Sequence, residues 1–500
     1  MIVVNSVSTQ ALLDTPEPAR VLPSLVECQQ ARKSRDPRFE GRFIIGVVTT
    51  GIYCKNTCPV RMPAEANVRY FATTAAAQLA GFRPCRRCRP ESAQSLPEWT
   101  ISCDTVMRGL RLIEAGYLNQ HTSAQLAQTL QIGERHLNRL FNQELGATPK
   151  MVARISRAKI AKSLLLESKF KLTEVALHAG YNSLSRFNAD IKSIFKQTPT
   201  EIRAKARTDE PLVTLTLPVR LPYNFDWIFG YLQTRQLPGV EEVRGGPGEW
   251  CYRRRVSENS WVLVTHTADA LILQVPLTEL PIHSILHRIR RIFDLGADGE
   301  TIHEYLSNLD FFKPWVQQAP GLRVAGAWDG FETSVRAVLG QQVSVARGTE
   351  LANKMIQQYG GGLFPTPQIL AQKEIAELGM PGQRGRAISV MAQQVADDNL
   401  VLDECQDFDV AQNALQDIKG IGPWTANYIR MRVLRDPNAF PDNDWVVLKV
   451  LDVTAARARK HSLAWQPWRS YALMYLWYAS SQNKQMNRKM KKQTKQTPKL

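Results

Sequence analysis

The chain has 500 residues, 44% of them apolar, and carries 63 Lys and Arg against 46 Asp and Glu, a formal net charge of +17. That length argues against a single core and suggests roughly three or four domains, while the charge favours a polyanionic partner, nucleic acid first, over small acidic substrates. Eight cysteines are too few for a disulfide scaffold, and neither a basic leader nor a run of roughly 20 apolar residues is present, so a soluble cytoplasmic protein with no membrane partner is expected.

Residues 1–22 lack periodicity and read as a mobile tail. A first domain is expected over 23–100, where FIIGVVTTGIYC begins with strand-like alternation and an Ala-rich stretch reads as a short helix. Cys54 and Cys58 form a C-x3-C pair, and Cys85 and Cys88 a C-x2-C pair. Two such pairs across a modest loop can close a tetrahedron of thiolates around one zinc ion, each tight turn supplying two ligands. On spacing alone the zinc is structural.

Residues 103–207 read as all-helical with two helix-turn-helix patterns. SAQLA leads through Gln131-Ile132-Gly133 to ERHLNRLF, and TEVA leads through Ala179-Gly180-Tyr181 to the segment from Ser183 to Phe195. Such units also serve as plain packing motifs, but two in tandem favour reading of DNA. Arg135, Asn138, Arg139, Ser185, Arg186 and Asn188 are the candidate groove contacts.

A composition shift at Thr208 to Pro211 marks a linker, and the next domain is expected over 211–324. VTLTLPV, CYRRRV, WVLVTHT and ALILQVP read as strands, with a helix from Phe225 to Arg235. Tyr231 and Arg235 are the two positions there to test for a pocket role. Helical periods dominate 325–480. Within them Ile418-Lys419-Gly420-Ile421-Gly422 separates two helical patterns, and its glycines allow a sharp turn whose N–H groups suit a phosphate. Asp444 precedes the apolar run WVVL, where a helix should start. An ordinary N-cap is the plain reading of that Asp. The last twenty residues, 481–500, carry seven positive charges and no acid and read as a solvated basic tail with weak affinity for DNA available to it.

Together these domains give a multidomain α+β chain: a small four-cysteine zinc domain, an all-α tandem helix-turn-helix, an α+β domain and an all-α domain holding the hairpin. Its motifs resemble known families over about residues 25–480. TTGIYC, NVRYF and GFRPCRRC resemble the zinc domain of the Ada adaptive-response proteins. That resemblance implies that Cys54 is both ligand and methyl acceptor from a DNA methylphosphotriester, a stoichiometric reaction. Methylating one of four thiolates around a divalent ion cancels a unit of negative charge and should tighten DNA binding. The tandem helices with FKQTP resemble the AraC-type DNA-binding domain, which implies promoter DNA and RNA polymerase as partners.

PYNFDW, FETSVRAVLGQQVSV, GIGPWTANYI and PDND resemble the AlkA-type 3-methyladenine DNA glycosylases of the helix-hairpin-helix superfamily. An enzyme of that kind must extrude its target nucleotide, which calls for a clamp, a wedge and a pocket. The resemblance implies a clamp at Gly420, Ile421 and Gly422, and a wedge at Gln342, where the family can carry an apolar residue. It implies a base pocket with Trp424, Tyr428, Trp445 and Trp477, and Asp444 as the catalytic carboxylate, with Asp442 its rival. Electron-poor alkylated purines stack well on such rings.

Relatives that also cut the strand carry a lysine where this chain has Trp424, so the implied DNA-3-methyladenine glycosylase II is monofunctional. No iron–sulfur cluster is expected, and no PCHRV-type second acceptor is visible. The alternative is a DNA-binding transcription regulator whose glycosylase-like module is inactive.

Overall fold

The computed structural model describes residues 22–36, 39–88, 90, 104–204, 212–276, 281–403 and 406–496. The expected tail before Leu22, the linker from 208 to Pro211 and the last four residues lie outside them. The chain forms two compact units. The first comprises Met1–Ile113, Gln120–Ile155 and Ile194–Lys196, the second Glu114–Asn119, Ser156–Ser193 and Gln197–Leu500. The boundary between the units falls within 103–207, with the first helix-turn-helix in the first unit and the second, up to Ser193, in the second.

In the first unit, strands β1 (Ile44–Val47), β2 (Ile52–Cys54), β3 (Val68–Phe71) and β4 (Arg83–Pro84) form a sheet in the order β3-β1-β2-β4, antiparallel except for β2 and β4. Period-2 alternation sends Phe43 and Ile45 against Cys28 and Ala31 of the helix Leu25–Ser34. Ile44 and Tyr53 meet Ala77 of the helix Thr74–Leu79. A Cβ on Gly46 would lie 2.6 Å from the Phe71 ring, so only glycine lets that ring lie across the strand. The helices Ser123–Thr129 and Glu134–Leu145 pack through Leu126, Leu130, Leu137 and Phe141. Thr73 Oγ1 donates to Leu145 O at 2.9 Å, joining this pair to the sheet subdomain.

The helices Leu172–His178 and Leu184–Phe195 form the second helix-turn-helix, which lies in the second unit up to Ser193. Five antiparallel strands follow: β5 (Val213–Pro218), β6 (Glu241–Arg244), β7 (Cys251–Ser257), β8 (Ser260–His266) and β9 (Ala270–Val275), in the order β5-β9-β8-β7-β6. Four are the expected strands. β6 was not expected, because its Glu-Glu start hides the pattern: Glu241 points inward, 5% exposed.

A buried ion network makes that possible. Arg254 pairs with Glu332 at 2.5 Å and with Glu241 at 3.2 Å, and Arg336 with Glu241 at 2.9 Å and Glu332 at 3.1 Å. It binds the sheet to the helix Gly330–Leu339. Burial pushes the Glu332 carboxyl up, but Arg254 and Arg336 outweigh it and hold it below the usual range. Helices then fill the rest of the unit around a core that includes Val338, Leu351, Met391, Leu415 and Ile429.

The final helix runs from Arg469 to Gln496, continuing through most of the stretch expected as a solvated tail. Among the described residues no helix is long and apolar enough to cross a membrane.

Candidate active site and metal centre

The hairpin of the second unit joins the helices Phe408–Gln416 and Pro423–Arg432. Gly420 adopts φ +108°, and a Cβ there would stand 3.1 Å from Ala387 Cβ, so the turn needs glycine twice over. Gly422 is the N-cap of the second helix, exposed, and a Cβ added to it would meet nothing within 4 Å. Pro423 at the first helical position brings no N–H, so the first-turn donors without an intrahelical acceptor are those of Trp424 and Thr425. Ile421 departs from expectation. Its N–H closes onto Ile418 O at 2.9 Å and its side chain is core, so it shapes the clamp without offering a donor. Gln341, which the sequence did not single out, braces the turn: its Nε2 donates to Gly420 O at 3.0 Å and Thr425 Oγ1 at 2.9 Å. Beside it Gln342 is exposed with φ +52°, a strained conformation for a residue with a Cβ.

Asp444 begins the helix Trp445–Leu451 as its N-cap, Oδ1 accepting from Val447 N at 3.0 Å. The same carboxylate accepts from the Trp424 indole N–H at 2.8 Å and the Trp477 indole N–H at 3.4 Å. It is 6% exposed. Asp442 is spent differently, in an ion pair with Arg459 at the surface.

Trp424, Tyr428 and Arg432 recur every four residues and share one helix face. Trp424 stacks on Tyr428 with centroids 5.2 Å apart and 16° between planes, and Tyr428 lies 6.5 Å from Trp477. From the helix Phe225–Gln233 Tyr231 reaches across, its hydroxyl 2.8 Å from that of Tyr428. Arg235 Cζ lies 4.0 Å and Arg432 Cζ 4.2 Å from the Tyr231 ring centroid. Burial pushes the Tyr231 phenol up, but Arg432, Arg235, the bond with Tyr428 and Arg336 outweigh it and hold the pKa down to about 8. Five of the six expected pocket residues thus come together with Asp444. Trp445 does not: the first residue after the cap projects away, 63% exposed, with Lys449 Nζ 5.0 Å from its ring. Arg432 was missed, although its spacing from Trp424 and Tyr428 is legible.

In the first unit, Cys54 ends β2, and Cys85 follows β4, whose pairing with β2 includes a bond from Cys85 N to Tyr53 O at 2.9 Å. All four Sγ atoms of Cys54, Cys58, Cys85 and Cys88 lie within 4.8 Å of one another. Four sulfurs about 2.3 Å from one zinc ion stand about 3.8 Å apart, so the set fits that metal. Its hydrogen bond to Cys88, then burial, pushes the Cys54 thiol well above the ordinary range, so a divalent cation is what would keep it as thiolate. Cys54 is 5% exposed, and Cys88 is the most open of the four.

The helix Glu134–Leu145 exposes Arg135 and Arg139 and half-buries Asn138, and the helix Leu184–Phe195 exposes Ser185, Arg186 and Asn188. The opposite faces, through Leu137, Phe141, Phe187 and Ile191, are buried.

Residues 27–91 match the family described as the metal binding domain of Ada, 126–205 a helix-turn-helix domain, and 214–329 the AlkA N-terminal domain. Over 476 residues the chain is 38% identical to the probable bifunctional transcriptional activator/DNA repair enzyme AlkA of Mycobacterium tuberculosis, covering 90% of this chain and 95% of that protein. The chain belongs to that family. It is also 33% identical to DNA-3-methyladenine glycosylase 2 of Escherichia coli, over 53% of this chain and 96% of that one. The bifunctional transcriptional activator/DNA repair enzyme Ada of Escherichia coli is 32% identical over 35% of this chain and 48% of its own length. The chain is thus an Ada–AlkA fusion, with the regulator's elements N-terminal to the glycosylase's.

Proposed function

We propose that this protein repairs alkylated DNA in two ways and reports the damage as a transcriptional activator. The observation that carries the glycosylase reading is the Asp444 carboxylate, held by the indole N–H groups of Trp424 and Trp477 beside the aromatic cluster of the hairpin helix. A purine alkylated at a ring nitrogen, 3-methyladenine above all, is already a good leaving group. Once it is flipped against Trp424, Tyr428 and Trp477, its glycosidic bond breaks with the electron pair leaving on the base. Asp444 stabilises the oxocarbenium left behind, and water adds to C1′ to give an abasic site. Gly420 and Gly422 would grip phosphate, and Gln342 would fill the vacated stack. With Trp424 in place of a Schiff-base lysine, the enzyme is a monofunctional DNA-3-methyladenine glycosylase II.

In the first unit Cys54, Cys58, Cys85 and Cys88 would hold one zinc ion per chain, which supplies thiolate character to the sulfurs. Cys54 Sγ takes the methyl carbon of a methylphosphotriester, and the ester oxygen leaves with its electron pair as an ordinary phosphodiester. One methyl is taken per chain, because a thioether does not revert. Arg135, Asn138, Arg139, Ser185, Arg186 and Asn188 would read promoter DNA, with RNA polymerase the partner of the activated regulator. The domain limits we assign are 23–100, 103–207, 211–324 and 325–480.

The rival, a regulator with an inactive glycosylase-like module, draws on the burial of Asp444 and its role as a cap. Incubating the full chain with methylated DNA separates them. Multiple turnovers of released 3-methyladenine with no borohydride-trapped adduct, and one methyl on Cys54 by mass spectrometry, are expected. No released base supports the rival, and a trapped adduct overturns the monofunctional assignment. A methyl on Cys88 instead, the more exposed thiol, would transfer the acceptor role to it.

A further inference from the structure

Arg432 is 1% exposed, and its guanidinium makes one hydrogen bond, from NH1 to Ala325 O at 2.7 Å. Its Nε and NH2 have no partner, and no carboxylate pairs with it among the described residues. A buried cation without a counter-charge is costly. What surrounds it instead is aromatic: Tyr231 at 4.2 Å, Tyr428 at 5.4 Å and Trp477 at 5.7 Å from Cζ to ring centroid. Of these only the two phenols can become anions.

We propose that Tyr231, set against Arg235 and Arg432 and hydrogen-bonded to Tyr428, is an ionisable specificity determinant whose phenolate form balances the buried guanidinium and favours positively charged bases over neutral ones. The argument rests on the glycosylase reading above and adds the basis of lesion choice. The charged and titratable groups facing Tyr231 are Arg235 just past the end of its own helix, Tyr428 and Arg432 on the hairpin helix, and Arg336 on the helix Gly330–Leu339. Arg336 is already neutralised by Glu241 and Glu332; Arg235 and Arg432 have no such partner among the described residues.

With both phenols protonated, Arg235 and Arg432 leave beside the rings a positive charge that only Asp444, bonded to the two indoles, offsets, and this excess opposes a cationic purine. When Tyr231 gives up its proton to solvent, the pair retains one proton between two oxygens 2.8 Å apart and carries one negative charge. Tyr428, stacked on Trp424, then presents the edge of that anion to a base lodged against this aromatic cluster. Tyr428 itself is pushed above the ordinary phenol range, by burial and then by Tyr231, so the proton that remains shared stays in the pair. The anion forms as pH rises through about 8, below the range of an ordinary phenol. A change of one unit of charge about 7 Å from a cationic base, at an effective permittivity near 20, corresponds to at least about a tenfold preference.

Two measurements on the full-length protein test this. Absorbance near 295 nm, where phenolate absorbs, should show one tyrosine titrating with a midpoint near 8 in the wild type. That step should be absent in Tyr231→Phe and moved toward 10 in Arg235→Gln, whose side chain is half-exposed and whose loss leaves the core intact. Second, the ratio of kcat/KM for 3-methyladenine to that for hypoxanthine, a neutral lesion, should rise at least about tenfold from pH 6.5 to 9 in the wild type and stay flat in Tyr231→Phe. A 295 nm titration of the wild type that superimposes on Tyr231→Phe below pH 9, or a flat wild-type ratio, overturns the proposal. Absence of base release at every pH instead refutes the glycosylase reading, and the spectroscopic step then still decides whether Tyr231 ionises.

Discussion

Asp444→Asn distinguishes a carboxylate that only caps a helix from one that also does chemistry. Asn caps about as well as Asp. With its amide oxygen in the place of Oδ1, it keeps the bonds from Val447 N–H and the Trp477 indole. The amide nitrogen then takes the place of Oδ2 and meets the Trp424 indole donor to donor. One unsatisfied, half-buried donor costs roughly 1–2 kcal/mol, which in a unit of this size lowers Tm by roughly 2–6 °C. The lost negative charge opposite a developing oxocarbenium is worth more, on the order of 3–4 kcal/mol, or 10²- to 10³-fold in rate. Single-turnover release of 3-methyladenine, measured well below the melting temperature beside DNA affinity, should therefore fall at least about a hundredfold with affinity little changed. Release within about threefold of wild type, accompanied by the small Tm loss, would mean that Asp444 serves the fold alone.

The two hairpin glycines should respond differently. Gly420→Ala meets both a positive φ and Ala387, so it should cost roughly 1–2 kcal/mol by thermal melting, whereas Gly422→Ala, with open space around it, should keep Tm and weaken DNA binding in a mobility-shift assay. Glu332→Gln leaves Glu241 as the one carboxylate facing both Arg254 and Arg336 in the buried network and should destabilise the second unit by about 3–5 kcal/mol in urea. Because Glu332 is held below its ordinary pKa, its contribution is present above the unfolded value and lost as pH falls through the folded one. Acid unfolding below about pH 4.5 should accordingly lose proton uptake in the variant. A strong zinc chelator should lower the melting of the first unit and leave that of the second unchanged by calorimetry, with one zinc released per chain by atomic emission.

Local chemistry decided much of this protein before any folding. Cysteine spacing specified a four-thiolate site, because tight turns of two or three intervening residues bring paired sulfurs within reach of one ion. Helical and strand periods specified most elements, and an Asp before an apolar run specified the start of a helix. Trp424 and Tyr428 were legible through the family resemblance of GIGPWTANYI, and the helix then sets them one turn apart on one face.

What the linear order could not carry was any property set by residues distant along it. Nothing local marks Glu241 and Glu332 as buried; it is the fold that brings Arg254 and Arg336 against them. Trp445 and Asp444 are neighbours in sequence, yet the direction of the first helical turn sends one into solvent and the other under two indoles. Ile421 was expected to donate to phosphate, but the turn's own geometry consumed its N–H. The meeting of Tyr231 with Arg432 crosses some two hundred positions, and the charge balance between them exists only where tertiary packing has removed the water that would otherwise have screened it.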